Sequence, residues 1–137
     1  MGKKILAGVV GVIVAFVLVW LVQKVGHTVY PPPVDLDWQD TEAVRTFIGT
    51  LPTGAFLFVI ASYFIGAFCG TLAACKIAGS NRFVFALIVG GLMLAATAMN
   101  LVMIPHPMWF SVLAIIAIVV AAWLGLKLGG GSMPQAE

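Results

Sequence analysis

Four stretches of this chain, Ile5–Val22, Thr53–Cys75, Phe83–Ile104 and Met108–Leu126, contain no Asp, Glu, Lys or Arg. At about 1.5 Å per helical residue, each is long enough to cross a hydrocarbon layer about 30 Å thick. Lipid offers no water to backbone groups, so each run must satisfy its own hydrogen bonds as a helix. Only 9% of the residues are charged and 62% are hydrophobic, too little polar surface for a water-soluble domain of this length. The expected fold is therefore an all-α membrane protein, a four-transmembrane-helix bundle. Its spans fall at about 5–24, 53–76, 83–104 and 108–127. Residues 1–128 form one domain, and the glycine-rich stretch 129–137 is expected to be a flexible tail.

The charges orient this bundle. If the runs alternate in direction, Lys3, Lys4, Lys76, Arg82 and Lys127 share one side, leaving Lys24 and Arg45 on the other. Lys and Arg mark the cytoplasmic side, so both termini are expected inside and the 27–52 loop outside. Asp35, Asp37, Asp40 and Glu42 all lie in that outer loop. The net charge of +2 is explained by this asymmetry, and no nucleic-acid partner is expected. The first run exceeds the apolar length of a secretory signal and is not followed by an A-x-A-like cleavage site, so its retention is expected.

The first helix is expected to run to about Lys24 and to emerge near Gly26-His27. Pro31-Pro32-Pro33 lack backbone donors and form a stiff spacer. Asp37 or Asp40 can cap the segment beyond, where Val44, Phe47, Ile48 and Leu51 recur at helical spacing. A short amphipathic helix on the outer surface follows from that pattern. Pro105 and Pro107 end the third span and open the fourth.

Small residues recur every fourth position in three spans, and Gly11, Gly66, Gly70, Ala74, Ala121 and Gly125 are the candidate helix-packing positions. Membrane helices associate by close packing, which such rows permit. The rows can build the chain's own bundle, the favoured use, or the face of a homo-oligomer or larger membrane complex. Cys69 and Cys75 are six apart, on different helix faces, and read as small packing residues.

Polarity within the spans is sparse. Without an intramembrane charge, proton relays and charged-substrate pumps are disfavoured. The candidate polar contacts are Asn100, Thr97, Tyr63 and Ser111, and interhelical hydrogen bonding is the main use expected of Asn100. His27 and His106 are both expected at the outer face. They could contribute to a metal site, but no H-x-x-x-H or C-x-x-C spacing supports one, so neither a metal nor another cofactor is expected. A Ser111–His106 pair oriented by Asp35 or Asp40 is the one conceivable hydrolytic set, and no G-x-S-x-G, H-E-x-x-H or P-loop accompanies it.

The segments Tyr30–Pro33, Leu51–Phe56 and Asn100–Phe110 together resemble a family of small, uncharacterised bacterial four-helix inner-membrane proteins. That resemblance implies a bacterial inner membrane and carries no activity, ligand or site. The plan of four spans with a long first loop is similar to claudins in architecture alone, since their loop motif of Gly-Leu-Trp and two cysteines is absent. Three functions compete. The first is a non-enzymatic structural or accessory subunit associating through small-residue faces. The second is a small oligomeric carrier or channel for a neutral or lipidic substrate. The third is an outer-face metal, redox or hydrolytic protein using His27 and His106.

Overall fold

The computed structural model describes residues 1–132, 134 and 135. Among them run five helices: α1 (Gly2–Val29), α2 (Thr41–Thr50), α3 (Thr53–Ala78), α4 (Arg82–Met103) and α5 (Met108–Leu128). All but α2 are long and apolar enough to cross a membrane. Their outward surfaces are greasy: Ile5, Ile13, Val17, Leu87, Leu92, Ile116 and Val119 are exposed. Such surfaces are compatible with an integral membrane protein.

The first helix runs further than expected, to Val29 instead of about Lys24. Nothing in Gln23–Val29 breaks a helix; the first breaker is Pro31, which disfavours helical backbone in the residue before it. Gly26 does not terminate α1. It lets the helix approach α3, where a Cβ would come within 3.1 Å of Phe58 Cβ. The extra turn leaves Gln23 more than one turn inside the helix.

Asp40 caps α2, its carboxylate accepting from the N–H groups of Glu42 at 3.0 Å and Ala43 at 3.2 Å. Val44 is buried and Ile48 and Leu51 pack against the main core, so the apolar stripe lies on the end of the bundle. Asp37 instead bonds the Gln39 N–H at 2.9 Å, tightening the turn before α2.

Helix α3 is the centre of the bundle, packed along α1 on one side and α5 on another, with α4 touching both α3 and α5. Of the helix pairs in contact, α1 and α4 touch least. The α1/α3 seam is built from absent side chains. A Cβ on Gly66 would stand 2.7 Å from the Ala15 carbonyl oxygen, and one on Gly70 2.6 Å from that of Gly11. A Cβ on Gly11 would stand 2.6 Å from Ala74 Cβ. On the far side of α3, Gly125 of α5 leaves no room either, with the Phe68 carbonyl oxygen 2.7 Å from where its Cβ would be. Ala74 and Ala121 are fully buried. All six small residues singled out in the sequence thus lie at contacts within the chain. Phe85 is buried beside Gly8.

The glycines after α5 fold back on the bundle. Gly129 is buried, and a Cβ there would stand only 2.5 Å from Cys75 Cβ. The Gly130 carbonyl accepts from Arg82 Nη1 at 2.5 Å, and the Gly131 N–H bonds the Leu126 carbonyl at 2.9 Å. Of the stretch expected to be a flexible tail, Met133, Ala136 and Glu137 lie outside the described residues.

Candidate functional site

The weak α1/α4 contact has a shape. Near the end of the bundle that carries Met1, the two helices are close: Gly8 faces Phe85, and a Cβ on Gly11 would lie 3.1 Å from Val89 Cγ2. Towards the α2 end they part. Phe16, Val19 and Gln23 of α1 then face Met93, Ala96, Thr97 and Asn100 of α4 across a cleft of about 240 Å³, with Tyr63 of α3 at its back. The spacing of Phe16, Val19 and Gln23, at i, i+3 and i+7, keeps them on one helical face.

Above the cleft is a second cavity, also about 240 Å³, beneath α2 and the proline-containing loop. This vestibule is walled largely by Tyr30, Trp38, Phe47, Ile48 and Phe58, with His27 and His106 among its lining residues. Gln23 and Asn100 line both cavities, so a pair of carboxamides stands between the two spaces.

Each carboxamide is tied to α3. Asn100 Nδ2 donates to the Tyr63 hydroxyl at 2.9 Å, and Gln23 Nε2 donates to Ser62 Oγ at 3.2 Å. Ser62 in turn donates to the Val59 carbonyl at 2.6 Å. Ser62 and Tyr63 sit about 14 Å along α3 from its start at Thr53, and Asn100 lies about one turn before the end of α4 at Met103. These bonds fix where the amides stand and leave each with a carbonyl oxygen and a second N–H.

His106 is held by the α4–α5 connection. Its ring stacks on Phe110, with centroids 4.7 Å apart and planes 14° from parallel, and Nδ1 lies 2.7 Å from the Ile104 carbonyl oxygen. A carbonyl can only accept, so Nδ1 carries the proton and the neutral ring presents Nε2 as an acceptor. Burial pushes the His106 pKa below its usual value, with the Ile104 hydrogen bond opposing in part.

The sequence candidates therefore divide. Asn100 stands at the junction, Thr97 and Tyr63 line the cleft, and His27 and His106 line the vestibule. Ser111 lines neither; its hydroxyl reaches back to the Pro107 carbonyl at 3.5 Å. Asp40 is engaged at the α2 cap. Among the described residues, no three His, Cys, Asp or Glu side chains gather closely enough to hold a metal. Gln23 is the one junction residue absent from the sequence candidates. Its signal was present, in the helical register with Phe16 and Val19 and in the lack of any breaker before Pro31.

The arrangement suits non-covalent capture. It offers an aliphatic slot, a wider aromatic chamber and a hydrogen-bonding layer between them. Comparison with protein-family models, curated proteins and solved structures gave no match.

Proposed function

We propose that this chain is a non-enzymatic bacterial inner-membrane protein that takes up a neutral, lipid-like molecule through the α1/α4 cleft, as a binding protein or small carrier. The observation that carries this reading is the cleft itself: a slot in an apolar wall that shares Gln23 and Asn100 with the lining of a chamber under α2. The accessory-subunit reading drew on small-residue faces, and those named positions lie at contacts inside the bundle. The metal and hydrolytic reading needs partners for His27 and His106, and Ser111 and Asp40 are engaged elsewhere.

In this reading the vestibule faces away from the cytoplasm, with both termini inside, as the side shared by Lys3, Lys4, Lys76, Arg82 and Lys127 favours. Reporter fusions at Pro32 and Gly79 check the orientation: the first is expected outside and the second inside, and the reverse would overturn it.

Uptake is tested with a photoreactive single-chain lipid added to the full chain in nanodiscs. Saturable labelling of Phe16–Gln23 and Met93–Asn100 is expected. Ala96→Trp, which fills the cleft, should weaken it at least about tenfold, roughly 1.4 kcal/mol in binding. Met99→Trp, on an exposed position of the same helix, should not. Equal labelling of the two variants would sink the reading.

A further inference from the structure

The junction of the two cavities has a hydrogen-bonding character that narrows what it can hold. Gln23 and Asn100 each use one N–H on α3, and each retains one carbonyl oxygen and one N–H. The Tyr63 hydroxyl accepts from Asn100 and keeps its own proton to donate. Donors and acceptors therefore stand side by side, a match for a group that both gives and receives a hydrogen bond. Gln23 and Asn100 are half-buried; a ligand that covers them with an acceptor-only group such as an ether would bury both amide oxygens without a donor, which is costly.

Charge points the same way. Among the described residues, no Asp, Glu, Lys or Arg lines either cavity. A phosphate or quaternary ammonium head would enter this layer without a counter-ion, which low-dielectric surroundings penalise heavily. Size adds a third limit. At about 240 Å³ the cleft is smaller than the roughly 300–1,000 Å³ of sites that enclose a bulky ligand. Its floor is closed where Gly8 meets Phe85 and Gly11 meets Val89. One aliphatic chain fits such a slot.

We propose that the ligand is an uncharged single-chain amphiphile with a hydroxyl head, its chain in the α1/α4 cleft and its hydroxyl between the Gln23 and Asn100 side chains. This deepens the function proposed above and rests on it. The hydroxyl donates to one amide oxygen and accepts from the other amide's free N–H. The aromatic vestibule accommodates whatever extends beyond the hydroxyl, so a glycerol-like head is admitted as well as a simple alcohol.

The test uses the full chain in nanodiscs and four competitors of one photoreactive decanol probe, whose chain matches the roughly 10 Å from Gln23 to Phe16: decanol, decyl methyl ether, decyl phosphate and decyltrimethylammonium. Decanol should displace the probe from cleft residues at least about tenfold more effectively than the ether or either charged analogue. Gln23→Leu and Asn100→Leu should each remove most of the alcohol's advantage over the ether, while direct labelling by an ether probe stays unchanged and reports that the cleft is intact. Should Asn100→Leu fail to fold, Tyr63→Phe tests the same layer through loss of the hydroxyl proton. Equal displacement by alcohol and ether, or preference for a charged head, overturns the hydroxyl assignment and leaves the cleft's role standing. Absence of saturable cleft labelling by any probe overturns both.

Discussion

Helix α1 has two neighbours and treats them differently. Along α3 it is locked by Gly11, Ala15, Gly66 and Gly70, with backbone so close that a single methyl group has no place. Along α4 it is close near Gly8 and Gly11, and further on Phe16 and Met93 border a cleft. Small residues bring helices together in an apolar solvent because dispersion contacts and not hydrophobic exclusion hold them. Where that series of small residues faces α3, α1 is fixed; where bulkier ones face α4, a space remains.

The sharpest way to break this contrast is to add volume to the seam. Gly70→Leu would drive a side chain into the Gly11 carbonyl and Ala15, and overpacking of this kind costs about 3 kcal/mol or more where backbone cannot yield. Loss of a monodisperse folded particle in mild detergent is the expected outcome, read by size-exclusion chromatography and thermal unfolding. Ala96→Trp brings a larger side chain into the cleft and should leave the same particle intact. Equal damage from both would mean that the cleft is as tightly packed as the seam.

A smaller effect comes from pH. Because burial lowers the His106 pKa in the folded chain, protonation favours the unfolded state. Stability should be constant above the ordinary histidine value of 6.5 and decline as pH falls below it, until the folded-state value is passed. His106→Gln should flatten that decline in a thermal-unfolding series. A stability that rises on acidification would contradict the packing of His106 on Phe110. The seam, which has no titratable group at Gly11, Ala15, Gly66 or Gly70, should contribute nothing to this dependence.

Much of this architecture is legible in the residues. The four uncharged runs become four long apolar helices, since helix length and hydropathy are local properties. Asp40 and the stripe from Val44 to Leu51 specify α2 for the same reason: a cap and a period are both written within one turn or two. The depth of the site was less accessible. Asn100 was identifiable as an intramembrane polar group, but its bond to Tyr63 joins residues 37 apart in sequence and depends on how α3 and α4 pack. Gln23 lies one residue beyond the uncharged run Ile5–Val22, and its bond to Ser62 joins residues 39 apart in sequence and depends on how α1 and α3 pack. The cleft itself has no sequence signature, because it arises from the divergence of two helices and not from any one segment.

Cys75 is fully buried, and Gly129 lies against its Cβ. A thiol there is roofed by the chain's own last helical turn, whereas Cys69 is partly accessible. The two sulfurs thus form an internal gauge: alkylation of Cys69 reports entry of reagent, and any modification of Cys75 reports that residue 129 has lifted away.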